Sequence, residues 1–219
     1  LHHEPMPLFQ TRQLDEHTLL GLWTLTEQAE ELLHALPPHL DASEFIHAAH
    51  PKRQQEWLAS RVLLYDLLRH FTDKPLALHR NATGKPFFPE AGLHVSITHS
   101  PEMAAVILSS KYEVGIDIEL ISPKALRVAG KFLSEQERGF TAGDEQQTCL
   151  YWSAKETLYK LYSKKRLLFK ENLKLEPAAT CTNLLQGLVQ TDNFSKLYHV
   201  YFETIENHVL TYSIDNIID

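Results

Sequence analysis

Trp152-Ser-Ala-Lys-Glu-Thr-Leu-Tyr-Lys-Leu-Tyr162 reads as a helix. It contains no Gly or Pro and is built mostly of good helix formers. Trp152, Leu158, Tyr159 and Tyr162 supply an apolar stripe that must pack on a core. Glu156 and Lys160 are four residues apart and share a face, with Lys155 adjacent in the chain. One carboxylate flanked by two ammonium groups suits a polyanionic substrate carried with a hard cation: the carboxylate takes the metal and the lysines take phosphate oxygens. A solvated helix bearing an ordinary Glu/Lys pair fits the same letters.

Working back along the chain, Glu113-Val-Gly-Ile-Asp-Ile-Glu-Leu120 alternates strictly. Val114, Ile116, Ile118 and Leu120 line one side of a strand, and Gly115, Asp117 and Glu119 the other. Two carboxylates two residues apart repel each other and favour a cation between them. All-oxygen donors favour magnesium over zinc. Gly115 leaves room on that face for a backbone or a ligand. An exposed edge strand is the plainer alternative.

Taken together, Gly115-Ile-Asp-Ile-Glu119 and Trp152-Ser-Ala-Lys-Glu156 with Lys160 resemble, in order and spacing, the signature of the 4′-phosphopantetheinyl transferases. Gly84-Lys85-Pro86 and Ser96-Ile-Thr-His-Ser100 agree with it. The resemblance spans at least Arg53 to Lys160 and is nearest to the larger, two-lobed surfactin-synthetase type. Where that family closes its helix motif with Gly, this chain has Ser163; where it has Ser before the motif His, this chain has Thr98.

The 219 residues suffice for one large domain or two small ones. With 21 basic and 28 acidic residues the formal charge is −7, which argues against nucleic acid as the main partner. The 13 histidines are scattered without a metal-ligand spacing. Cys149 and Cys181 form no CxxC, so a reducing context is the simpler one. No apolar run approaches a membrane span and no signal-peptide pattern opens the chain, giving the expectation of a cytoplasmic protein. His2 and His3 read as a vector-derived leader ahead of a natural start at Met6.

In chain order, Leu8-Phe-Gln-Thr-Arg and Gly21-Leu-Trp-Thr-Leu read as strands. Glu27 to Leu36 reads as a helix ended by Pro37-Pro38. A longer helix opens at Pro51 and runs to about Phe71, with Arg53 and Arg61 near one face. Asn81 to Phe87 is a loop in which Gly84 allows a left-handed backbone and Pro86 fixes the chain after Lys85. Leu93, Val95 and Ile97 alternate as a strand ending at His99. Met103–Ser109 is a strand expected to form a hairpin with Val114–Leu120 through Ser110-Lys-Tyr. Pro123 begins a helix, and Ser134 with Glu137 forms a capping box at the next. Asp144 to Gln147 starts the Trp152 helix. Leu173–Leu175, Asn183–Val189, Leu197–Ile205 and Val209–Ile214 read as strands, with a turn at Asn207-His208. Lys164-Lys-Arg166, Lys170 and Lys174 are a solvated surface or a docking patch for an acidic carrier.

The resemblance implies an α+β fold of two similar lobes, each a small antiparallel sheet packed with a long helix. A boundary near residue 110 gives lobes of 1–110 and 111–219, with the ligand between them and the metal site in the second. It implies transfer of the phosphopantetheine arm of coenzyme A to a serine of an apo acyl or peptidyl carrier protein, releasing adenosine 3′,5′-bisphosphate. Asp117, Glu119 and Glu156 would hold magnesium, with manganese as the alternative ion. Arg53, Arg61, Lys85, Thr98, His99, Lys155 and Lys160 would meet coenzyme A, His99 at its 3′-phosphate. Lys155 and Lys160 would also stabilise charge on the phosphoryl oxygens. Glu137, with Glu135 as rival, would take the serine proton. The family's two-lobed members commonly act as monomers. A nucleotide diphosphate hydrolase, or a non-catalytic binder of coenzyme A or a carrier protein, would use the same groups differently.

Overall fold

The computed structural model describes residues 10–43, 47, 49–164 and 166–217. The suggested leader, the first two residues of the Leu8 strand and Lys165 lie outside them. The chain divides into two compact units: the residues up to His79 with Pro86–Lys111, and Arg80–Lys85 with the residues from Tyr112 onward.

The first unit pairs β1 (Gln10–Asp15), β2 (Thr18–Thr24), β5 (His94–His99) and β6 (Met103–Ser109) in the antiparallel order β1-β2-β6-β5. The two-residue strands β3 (His79–Arg80) and β4 (Pro86–Phe87) lie between β2 and β5 in sequence. A short helix α1 (Ala29–Ala35) precedes the long α2 (Pro51–Leu68). Pro51 sits where a missing N–H costs nothing, and His50 Nδ1 accepts from Lys52 N–H at 3.3 Å. Helix α2 stops at Leu68, three residues short of the Phe71 expected from sequence. Leu58, Leu63, Leu64 and Leu67 of α2 are fully buried in one core with Trp23, Val95, Val106 and Leu108 of the sheet. Each such leucine contributes about 1.5–3 kcal/mol by leaving water.

The second unit holds β7 (Val114–Leu120), α3 (Lys124–Phe132), α4 (Glu135–Thr141), α5 (Glu145–Tyr162), α6 (Phe169–Asn172), β8 (Leu173–Pro177), β9 (Leu184–Thr191), β10 (Phe194–Ile205) and β11 (His208–Ile214). Its antiparallel sheet runs β7-β11-β10-β9-β8. The expected α+β pattern is present: each unit has an antiparallel sheet packed with an 18-residue helix.

Three local expectations are corrected. Strands β6 and β7 form no hairpin: β6 pairs with β2 and β5, β7 pairs with β11, and Ser110-Lys-Tyr links two different sheets. The last turn is Glu206-Asn207 rather than Asn207-His208. Ile205 pairs with His208, and both turn residues have positive φ, 42° and 62°, as a two-residue hairpin of right-twisted strands requires. The buried stripe of α5 is Tyr151, Ala154, Leu158 and Leu161, while Trp152, Tyr159 and Tyr162 are only partly buried. At the end of α5, Ser163 takes the left-handed conformation (φ 52°) and donates its N–H to Tyr159 O at 3.0 Å. It performs the capping turn for which glycine is usually chosen.

Candidate active site

Two periodicities meet along β7 and α5. Alternate residues on a strand are about 6.7 Å apart, and residues four apart on a helix rise about 6 Å. Asp117 and Glu119 on β7 meet Lys160 and Trp152 on α5, so strand and helix run in opposite directions past each other. Trp152 Nε1 donates to Glu119 Oε1 at 2.9 Å, and Lys160 Nζ donates to Asp117 Oδ1 and to Ile116 O, both at 2.9 Å. The room at Gly115 is filled by the helix itself: a Cβ there would lie 2.6 Å from Thr157 O. That closeness brings the three carboxylates into one electrostatic environment.

Burial, then the Asp117 charge, then Glu119, push the Glu156 carboxyl up to about 7, against the opposing pull of Lys160 and Lys124. Burial and Asp117 likewise raise Glu119, with the Trp152 hydrogen bond, Lys124 and Lys160 acting the other way. Asp117 is 4% exposed. Three carboxylates so placed favour either a proton or a cation among them.

The donor set is all oxygen, the chemistry of a hard divalent ion. Among the described residues no group of three or more His, Cys, Asp or Glu side chains is placed as a cage that could hold a metal ion. Magnesium keeps several waters and takes one or two carboxylates with substrate phosphates, so it asks for no such cage. Asp117, Glu119 and Glu156 suit it by donor chemistry.

Lys155 and Glu137 are elsewhere. Lys155 is fully buried, and its Nζ donates to Phe132 O at 2.6 Å, Glu137 Oε2 at 2.8 Å and Phe169 O at 2.9 Å. All three ammonium protons are engaged inside the unit. Burial pulls the Lys155 pKa down, and hydrogen bonding and charge from Glu137 oppose it. Glu137, 2% exposed, also accepts from Ser134 N–H at 2.8 Å and Leu175 N–H at 2.9 Å. This lock engages the two groups expected to meet phosphate and to take the serine proton, and ties the start of α4 to α5, α6 and β8. The physical reason was legible: Lys155 lies four residues after Tyr151 and three before Leu158, both core residues. The rival Glu135 is exposed on the first turn of α4.

In the first unit, Arg53 is exposed in the first turn of α2. Arg61 is 7% exposed, its guanidinium 4.9 Å from the Trp57 ring centre and its Nη1 donating to Ser60 Oγ at 3.2 Å. It is packed as a core side chain. Thr98 is buried at 6%, and His99, next to it at the end of β5, is exposed with Nδ1 3.1 Å from Glu56 Oε2. In the second unit, Lys85 ends a loop shaped by Asn81, whose Oδ1 accepts from Thr83 N–H, Thr83 Oγ1 and Lys85 N–H at 2.9, 2.7 and 3.0 Å. Gly84 supplies the left-handed step (φ 85°), and Lys85 pairs with the Glu113 carboxylate.

Sequence reasoning missed Trp152 as the hydrogen-bond donor to Glu119, and Lys124, Glu56 and Glu113 as charged neighbours of candidate residues. Only the four-residue step from Trp152 to Glu156 could have signalled the first. A cavity of ≈ 420 Å³ opens beside Glu119, walled by Lys124, Val128, Phe132, Trp152 and Phe169. No helix among the described residues is long and apolar enough to cross a membrane.

The sequence profile of the 4′-phosphopantetheinyl transferase N-terminal domain matches residues 41–109, and that of the 4′-phosphopantetheinyl transferase superfamily matches residues 113–213. The chain is 34% identical over 122 residues to the 4′-phosphopantetheinyl transferase AcpT of Escherichia coli O157:H7, covering 53% of this chain and 58% of that protein. It is 35% identical over 105 residues to AcpT of Salmonella typhimurium, covering 46% and 53%. The chain thus spans little more than half the length of the curated relatives it matches.

Proposed function

Since the chain belongs to the 4′-phosphopantetheinyl transferase superfamily, we propose that it moves the 4′-phosphopantetheine arm of coenzyme A onto a serine of an apo acyl or peptidyl carrier protein. The observation that carries this reading is the β7–α5 register, which sets Asp117, Glu119 and Glu156 in one field with Lys160 at its edge.

In the transfer, the serine Oγ bonds to the phosphorus that bears the pantetheine arm. The bond from that phosphorus to the bridging oxygen breaks, and adenosine 3′,5′-bisphosphate leaves with the electron pair. Asp117, Glu119 and Glu156 would hold magnesium or manganese, which when bound offsets the charge of the diphosphate. Trp152 orients Glu119 through its indole N–H. Lys160, tethered to Asp117 and partly open to solvent, stabilises charge on the phosphoryl oxygens. Glu135, exposed on the first turn of α4, takes the serine proton in place of Glu137, because Glu137's oxygens are already committed to Lys155 and two backbone N–H groups. Arg53, Lys85, Thr98 and His99 contact the coenzyme, with His99 at the 3′-phosphate. Arg61 supports them by holding Trp57. Lys164, Arg166, Lys170 and Lys174 attract the acidic face of the carrier. The reading takes the protein as a cytoplasmic monomer, in keeping with two free cysteines.

The test is intact-protein mass spectrometry of an apo carrier mixed with this protein, coenzyme A and magnesium, with and without chelator. A gain of one phosphopantetheine arm, lost with chelator, is expected. Consumption of coenzyme A with no gain on any carrier would replace this reading with a hydrolase. No gain and no consumption would replace it with a binder.

A further inference from the structure

His99 stands at the end of β5 with its ring exposed, where an imidazole normally swings between orientations about its broad terminal torsion. Here it does not stand alone. Glu56, on α2 three residues beyond Arg53, places Oε2 3.1 Å from His99 Nδ1. The Glu56 side chain is 14% exposed against 38% for His99, so the carboxylate is the sheltered partner and the ring the one turned outward.

We infer that Glu56 is a positioning residue for His99, fixing the ring through Nδ1 so that Nε2 is presented to the 3′-phosphate of the coenzyme; this rests on the reading of His99 given above. The geometry makes the assignment specific. A carboxylate only accepts, so the Glu56 contact commits a proton to Nδ1. An anion at Nε2 needs a proton there as well, and hence the doubly protonated ring. A sheltered negative charge on the opposite side of the imidazole stabilises that form. Glu56 therefore selects both the orientation and the charge that a phosphate contact requires, without touching the coenzyme itself. The arrangement parallels the carboxylates that orient metal-bound histidines through their second nitrogen.

The probes are adenosine 3′,5′-bisphosphate and 5′-AMP, which differ by the 3′-phosphate alone and need no turnover. Titration calorimetry of the full chain should show Glu56→Gln weakening the bisphosphate about tenfold, the loss of one charge-assisted hydrogen bond, while 5′-AMP changes less than about twofold. His99→Gln should lose the same discrimination, and the double variant should be no worse than His99→Gln alone. Glu56→Asp, a shorter carboxylate, should restore part of the loss. Nitrogen-15 NMR of the His99 ring should show Nδ1 protonated in the wild type and both nitrogens protonated with bisphosphate bound. A Glu56→Gln protein that binds bisphosphate as the wild type does, or that weakens both nucleotides equally, would overturn the positioning role. A His99→Gln protein that keeps its preference for the bisphosphate would overturn the His99 contact and the inference with it. An unprotonated Nδ1 in the wild type would overturn the inference while leaving the contact standing.

Discussion

Lys155→Met decides whether Lys155 acts in the chemistry or in the fold. The side chain is fully buried and all three of its donors are used, at 2.6, 2.8 and 2.9 Å. Methionine keeps the length and removes the charge, leaving the 2%-exposed Glu137 carboxylate without its counter-ion. Removing one partner of a buried ion pair costs about 3–5 kcal/mol, and at roughly 2–4 °C per kcal/mol for a chain of this size the midpoint should fall by about 6–20 °C. Glu137→Gln together with Lys155→Met leaves no uncompensated charge, and the new side-chain amide keeps an oxygen for one of the backbone donors. The double variant should recover at least about 2 kcal/mol relative to the sum of the singles. Urea unfolding followed by far-ultraviolet circular dichroism, with the slope checked for constancy, measures both quantities. A Lys155→Met protein within about 1 kcal/mol of wild type, yet defective in transfer, would refute the structural role and return Lys155 to the phosphate.

Asp117→Ala should nearly abolish transfer while coenzyme consumption also stops; full activity in the carrier mass assay would remove Asp117 from the cation set. Glu156 titrates near 7 in the folded cation-free protein against an ordinary value of 4.5. The folded state thus holds a proton that the unfolded chain has released. Its stabilising share is fully present below about pH 4.5 and is lost as pH rises through about 7. Thermal melts in chelator should fall across that window, Glu156→Gln should flatten the fall, and a fall unchanged in Glu156→Gln would contradict the assignment. Gly115→Ala should cost about 1–3 kcal/mol, since the new Cβ meets the α5 backbone at 2.6 Å; an unchanged denaturation midpoint would argue against that close approach. Cys149 is buried and its thiol is pushed up to about 12 by burial and by Glu119, Asp117 and Glu145, whereas Cys181 is exposed. Iodoacetamide at pH 8 should add one group to the folded protein and two to the unfolded one; rapid double labelling of the folded protein would be the contrary result.

Much of this protein was legible in one dimension. Alternation from Val114 to Leu120 fixed which residues share a strand face, and the four-residue step from Glu156 to Lys160 fixed a helix face. Both follow from backbone periods that need no partner. The combined motifs, with Lys85 and His99, were specific enough to point to the family before any coordinates.

What periodicity leaves open is which neighbour a face receives. Glu156 and Lys155 are adjacent letters, yet one joins Asp117 and Glu119 and the other disappears among Phe132, Glu137 and Phe169. The capping box at Ser134 was readable because it closes within three residues. The ion pair that closes over the same Glu137 was not, because its partner arrives from another helix. Glu56 and His99 are separated by much of the first unit and meet only because α2 packs beside β5. A charge costs or stabilises according to what surrounds it, and for these side chains the surroundings come from distant sequence. The chemistry on offer was written in the chain; which charged groups share one environment and which are locked inside the fold was decided by packing.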